Sequence, residues 1–360
     1  DDETRSQIQS FVNHPAFAGA KIVIMPDCHA GKGSVIGFTA TIKDYVIPNI
    51  VGVDIGCGIE AYNLGKIQID FEKLDHHIRK HIPSGFEKRG KKLYEISTLN
   101  KLLKANMEDV CEDTRQNLND VLLSLGTLGG GNHFIEVDED VEGNRWLVVH
   151  TGSRNFGKRI CEFHQNKAKE LMHKTFNGDA YKDLEFLPMD MGGEEYLADM
   201  RIAQRYAALN RKSILDFFLR YFDVKPIDYI LSVHNYIDDE GMIRKGAISA
   251  KNDEKLLIPL NMRDGVIVGR GKGKADWNWS APHGAGRILS RGQAKRNLVL
   301  DEYKKEMEGI YTTSVSMDTI DESPMAYKSK DTILSSIEEE VIVDFVMKPV
   351  YNFKAGRENK

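Results

Sequence analysis

The chain has 360 residues, long for one ordinary domain and short for three. Apolar residues make up 41% and charged residues 29%, which fits a globular protein of enzyme size. Lys and Arg number 49 against 54 Asp and Glu, a formal charge of −5, so a globally basic nucleic-acid binder is excluded while a local basic groove is not. Four scattered cysteines (Cys28, Cys57, Cys111 and Cys161) are too few for a disulfide scaffold and imply free thiols in a cytoplasmic protein. No run approaches the roughly 18 apolar residues of a membrane-spanning helix, and no secretory leader pattern opens the chain, so no membrane partner is expected.

In chain order, the first third reads as strands and turns. Ala20 to Met25, Val35 to Ile42 and Ile59 to Leu64 are short apolar runs of strand type, with glycines clustered between them. Phe71 to Ile82 and Leu99 to Leu125 then show helical spacing. Gly126 to Gly131 breaks the second of these, four of its six residues being glycine. Strands follow at Phe134 to Val137 and Trp146 to His150. Helices are predicted over 156–175, 195–222 and 287–308, with strands near 228–234, 256–260 and 265–269, and a last strand at Val341 to Phe353. Strands and helices interleave without a change of composition, which predicts a single large α+β domain over 1–360. Charge is uneven. Residues 268–297 hold seven Lys and Arg against Asp276, a local +6, whereas 301–344 hold twelve acids against four Lys. The first stretch is either an anion-binding strip or a solvated helix face.

The chemistry lies in histidines beside glycines. His14, His76, His77, His81, His164 and His173 sit in charged or helical contexts and read as surface residues. His150 and His234 each end an apolar strand, where a rigid sheet fixes a side chain at the mouth of a loop. His133 follows Gly129-Gly130-Gly131-Asn132; alone, such a histidine is more often structural. Asp54 and Cys57 share one glycine turn, Val53-Asp54-Ile55-Gly56-Cys57-Gly58, and a metal lowers a thiol pKa enough to make it a ligand. Cys57 alone reads as a small buried apolar residue. Together, Asp54, Cys57, His133, His150 and His234 can form a mononuclear or dinuclear centre. That donor set favours zinc and is compatible with manganese, cobalt or iron. His283, in Pro282-His283-Gly284-Ala285-Gly286-Arg287, is expected at the mouth of a helix. There it can attack phosphorus, act as a general acid or ligate a metal.

These segments resemble the RtcB-type RNA ligase family. The matching stretches, in the family's order, are Met25-Pro26-Asp27-Cys28-His29-Ala30-Gly31, Gly52 to Gly58, Gly131-Asn132-His133-Phe134-Ile135-Glu136, and His150-Thr151-Gly152-Ser153-Arg154. His234-Asn235, Arg244-Lys245-Gly246-Ala247, His283-Gly284-Ala285-Gly286-Arg287 and Lys348-Pro349 to Lys354 follow. The resemblance implies mixed sheets and helices around a deep metal-containing cleft. It also implies an enzyme that seals a 2′,3′-cyclic phosphate or 3′-phosphate RNA end to a 5′-hydroxyl end, in RNA repair or tRNA splicing, with GTP and two Mn²⁺ ions. By that analogy Asp54, Cys57, His133, His150 and His234 hold the metals. His283 takes GMP from GTP, and Asp27 lies near the reacting phosphate. Asn132, Glu136, Ala285, Gly286, Tyr327 and Lys354 hold the nucleotide. A monomer is expected. The chain departs from the family at Leu260-Asn261-Met262-Arg263, where the family carries Gly-Ser-Met-Gly in a loop against the nucleotide. Two other classes compete. A metal-dependent phosphoesterase would open cyclic phosphates without using His283 as a nucleophile. A non-catalytic RNA-binding module would need the basic stretch but not Asp54 and Cys57.

Overall fold

The computed structural model describes residues 2–31, 33–175 and 181–356. A seven-stranded sheet runs in the spatial order Lys255–Asn261, Gly265–Gly271, Val341–Phe353, Phe134–Glu139, Arg145–Thr151, Gly58–Asn63, Asp228–Val233, and every neighbouring pair is antiparallel. Successive side chains alternate between its faces. Phe134, Trp146 and Val148 therefore join Ile59, Ile230, Leu257 and Val266 in one apolar cluster. Ile135, Val137, Leu147 and Val149 face the other way and pack on Ile214, Leu215 and Phe218 of the long helix Gly193–Phe222. The edge strands meet, because Leu257 N–H donates to Ser232 Oγ at 2.8 Å and Lys255 pairs with Asp228 at 2.7 Å. The sheet thus curls round its inner cluster.

A second antiparallel sheet runs Val23–His29, Ile36–Thr41, Met242–Lys245, Asn235–Ile237. Strand Asp228–Val233 of the first sheet leads into Asn235–Ile237 of the second, with His234 at the junction. Ser280–Pro282 pairs with Ala247–Ser249, and His283 follows directly. The α+β architecture matches the expectation. The helices Arg154–Thr175 and Gly193–Phe222 and the strand Val341–Phe353 lie where periodicity places them.

Three expectations are corrected. Leu99 to Leu125 is not one helical run but three short helices, Ile96–Leu103, Met107–Asp113 and Leu118–Ser124. Lys104 and Arg115 turn into the left-handed region between them, and Asn106 and Asn117 cap the next helix with their side chains. Residues 287–308 form two seven-residue helices, Arg291–Asn297 and Leu300–Glu306. Ser290 starts the first with a capping box to Gln293, and extended Leu298 and Val299 separate them. No helix begins at Gly284–Gly286, because the N–H groups of Ile288 and Leu289 donate instead to Ala326 O.

The third correction concerns His14 and His164, which are buried rather than on the surface. His164 Nε2 lies 2.7 Å from Asp199. His14 Nδ1 accepts from Ala16 N–H at 3.2 Å and its Nε2–H donates to Leu184 O at 3.0 Å, so the ring is used in its neutral form. Burial lowers its pKa from 6.5 to about 4. Between those values the unfolded chain binds more protons than the folded one. Stability from His14 is therefore complete above pH 6.5 and is lost as pH falls toward 4. His14→Asn keeps a capping acceptor and removes the titration. Thermal melts of this variant should show a flatter pH dependence between 6.5 and 4 than those of the unaltered chain.

Candidate active site

The antiparallel register brings four chemistry-bearing residues to one end of the curled sheet. Cys57 precedes strand Gly58–Asn63, His133 precedes Phe134–Glu139, His150 is next to last in Arg145–Thr151, and His234 follows Asp228–Val233. Gly58 pairs with Thr151 and Val233, and Phe134 with His150, so all four share that end. Cys57 Sγ lies 3.4 Å from His133 Nε2 and 3.3 Å from His150 Nε2. His150 and His234 approach Nε2 to Nε2 at 3.4 Å. Asp54 Oδ2 lies 3.0 Å from His133 Nε2.

Hydrogen bonds behind the imidazoles fix which nitrogen faces inward. His133 Nδ1–H donates to Leu128 O at 3.0 Å and His150 Nδ1–H to Asn132 O at 3.1 Å, which aims both Nε2 atoms at the shared space. Burial holds His150 and His234 well below the usual imidazole range, the neutral state in which an imidazole can bind a metal. Burial opposes the charge of Asp54, but its hydrogen bond to His133 and the charge of Arg154 hold its carboxyl down to about 2. Burial likewise pushes the Cys57 thiol well up, a proton that a bound cation displaces. The donor atoms of Cys57, His133 and His150 lie within 4.8 Å of one another. Donors about 2.0–2.3 Å from a tetrahedral ion stand roughly 3.3–3.8 Å apart, so the set fits a metal.

The turn after His150 packs tightly on Asp54. A Cβ at Gly152 would stand 2.2 Å from Asp54 Oδ1, and the next residue, Ser153, donates its N–H to that oxygen at 3.0 Å. Two buried residues of the long helix hold the segments that carry these donors together. Asn210 Oδ1 accepts from the N–H groups of Gly126 and Thr127, while its Nδ2 donates to Thr127 O and Gly152 O. Arg211 donates to Gly56 O at 2.8 Å and Thr151 O at 3.1 Å.

His283 faces this cluster, its ring centroid 4.9 Å from that of His234. Its Nδ1–H donates to Oδ2 of the fully buried Asp27 at 2.7 Å, which leaves Nε2 turned away from that carboxylate. Gly286 makes the approach possible. Its φ is +70°, and a Cβ there would lie 2.1 Å from Asp27 O.

A cleft of about 970 Å³ joins Asp54, Cys57, His150 and His234 to His283 and to Asn132, Glu136, Ala285, Gly286, Tyr327 and Lys354. Asn132 O also receives Lys354 Nζ at 3.3 Å. Glu136 accepts from Asn352 Nδ2, and burial, opposed by Lys354, raises its carboxyl to about 7. Behind them lies Glu322, with Tyr327 Oη at 2.7 Å, Lys354 Nζ at 3.2 Å, Arg291 at 3.2 Å and Arg287 at 3.5 Å. Burial works against its charge, yet Lys354, Arg291 and Arg287 hold Glu322 down to about 2. The basic stretch 268–297 is not one strip. Arg287, Arg291 and Arg296 line the cleft, whereas Arg270 pairs with Asp253 and Asp344 elsewhere. Leu260, Asn261 and Met262 line the rim as a hairpin turn, in which Asn261 Oδ1 caps the N–H groups of Arg263 and Asp264. Sequence reading did not single out Glu322, Asn210 or Arg211. The one signal for Glu322 was the acidic stretch that follows the basic one.

The family model for the tRNA-splicing ligase RtcB matches residues 7–355. The chain is 31% identical to an RNA-splicing ligase RtcB of Escherichia coli K12, over 97% of this chain and 93% of the relative. It is 27% identical to a tRNA-splicing ligase RtcB of Thermococcus kodakarensis, over 91% and 86%. The corresponding protein of Aeropyrum pernix is 26% identical over 86% and 82%.

Proposed function

The chain belongs to the RtcB family and is an RNA ligase, and on that premise we propose that it joins 3′-phosphate or 2′,3′-cyclic phosphate ends to 5′-hydroxyl ends, using GTP, as a monomer in the cytoplasm. The observation that carries this reading is the Asp27–His283 pair set against the Cys57–His133–His150 cluster. Asp54, Cys57, His133, His150 and His234 would hold two Mn²⁺ ions, which would supply charge neutralisation at attacking and leaving oxygens and a more acidic water for opening a cyclic phosphate. Asp27 keeps the proton on Nδ1, so His283 Nε2 attacks the α-phosphorus of GTP. The N–P bond forms, the bond to the β-phosphate oxygen breaks, and pyrophosphate leaves; the Asp27 carboxylate offsets the positive charge on the ring. An oxygen of the RNA 3′-phosphate then takes the GMP and returns His283 to neutrality. The 5′-hydroxyl attacks the RNA phosphorus, its proton passes to solvent, and GMP departs. Lys354, Arg287 and Arg291 steady the phosphates, and Glu136 accepts from the base.

Ligation of RNAs with defined ends tests this. Joining should require a 3′-phosphate or cyclic phosphate, a 5′-hydroxyl, GTP and Mn²⁺ together. Joining of 3′-hydroxyl to 5′-phosphate ends, or undiminished joining without GTP, would overturn it.

A further inference from the structure

Beside the site, the segment 83–93 is mounted on the loop that carries His133. Leu128 N–H donates to Pro83 O at 2.9 Å and Gly85 N–H to Gly129 O at 3.0 Å, and Ser84 bridges Gly129. Arg154 donates to Gly85 O at 2.9 Å, and Arg89 to Gly126 O at 2.9 Å. On this well-anchored turn Phe86 is 104% exposed, its whole ring in solvent. A single exposed apolar residue is ordinary. Phe86 differs in its place and in its neighbours. Lys88, Arg89, Lys91 and Lys92 follow it in the chain against one acid, Glu87. Lys88 pairs with Asp120, and Arg89 is turned inward by its bonds to the chain. Lys91 and Lys92 are exposed and make no ion pair among the described residues.

The turn also continues a path out of the cleft. Arg291 lines the cleft and lies 3.3 Å from where a Cβ of Gly131 would stand; a Cβ at Gly130 would stand 3.6 Å from Gly85 Cα. Gly130 is three residues from His133, at most about 11 Å of chain. A strand leaving the metal centre along Gly131 and Gly130 reaches Phe86 within a few nucleotides. Charge that tracks a backbone, together with an aromatic face open for stacking, is the recognition chemistry of single-stranded nucleic acid.

We propose that Phe86, with Lys91 and Lys92 following on the same segment, is a stacking subsite for an unpaired base of the RNA strand next to a reacting end. The proposal rests on the RNA-ligase reading. The test is fluorescence anisotropy and ligation kinetics with labelled single-stranded RNAs bearing a 3′-phosphate or a 5′-hydroxyl. Phe86→Ala should weaken binding of one of these strands about five-fold or more and raise its KM, with kcat and Tm kept; Phe86→Trp should restore both. Replacing Lys91 and Lys92 by Gln should lower the slope of log K against log salt by about 1.4. Unchanged RNA affinity in Phe86→Ala, or a loss that Trp does not restore, overturns the subsite and leaves the turn as a contact for another protein. Failure of the unaltered chain to join RNA overturns the ligase reading instead, so the two failures are distinguishable.

Discussion

His283→Ala is expected to carry no label after incubation with α-labelled GTP and Mn²⁺, and to ligate roughly 10⁴–10⁶-fold more slowly than the unaltered chain. The reason is geometric. Among the groups that face the cluster, His283 has one ring nitrogen committed to a buried carboxylate and the other turned to the cleft. Asp27→Asn separates the two parts of the argument. Asparagine can keep the contact but offers no charge, and its amide can present a donor to Nδ1 and move the ring proton to Nε2. A fall of roughly 10²–10⁴-fold in labelling is expected, with the fold intact. Label on His283→Ala would move the nucleophile elsewhere, whereas no label on the unaltered chain would bring back the phosphoesterase class. Full labelling of Asp27→Asn would reduce Asp27 to a structural residue.

The second large effect is on stability. Arg211 is 1% exposed and holds the carbonyls of Gly56 and Thr151, one beside Cys57 and the other beside His150. Its guanidinium also lies 3.9 Å from the buried Glu60. Arg211→Met fills much of the same space but leaves two carbonyls and a carboxylate without their cation. A loss of about 3–5 kcal/mol follows. It would appear as a drop in Tm of roughly 5–10 °C by calorimetry. Affinity for Mn²⁺, measured by titration calorimetry, should fall about 10–100-fold, because the two ligand-bearing segments lose their common tie. Arg211→Lys should recover part of the stability, as an ammonium can reach one carbonyl but not both. An unchanged Tm in Arg211→Met would show that the carbonyls find other partners.

Local chemistry made much of the site readable in the chain. Cys57, His133, His150 and His234 sit at the ends of apolar runs, and antiparallel pairing of those runs brings such ends together. What periodicity could not supply was which distant segments meet. Asp27 and His283 are 256 positions apart, and only the family resemblance placed both at one site. The helix expected over 287–308 failed because apolar spacing continues through Leu298 and Leu300, while the backbone is extended at Leu298 and Val299. Those leucines instead pack with Met262, Tyr303 and Met307. His14 is buried where its context predicts exposure, because a cap and a distant carbonyl, Leu184 O, make burial tolerable for its ring. Glu322 and Arg211 belong to no motif. Their roles come from partners on other elements, a property of packing that a single residue window does not contain.

Glu322 has a further consequence for how the cleft would receive the proposed triphosphate. A pocket that gathers Lys354, Arg287 and Arg291 around empty space would pay in mutual repulsion, and its long side chains would disperse into water. The ionised Glu322 at their centre, with Asp321 pairing Arg291 beside it, holds them in place before any phosphate would arrive. The arriving anion then meets cations already oriented, with little rearrangement left to make. By the same logic, removing that negative charge would not make the cleft a better phosphate trap. It would loosen the cations, Lys354 above all, that would do the trapping.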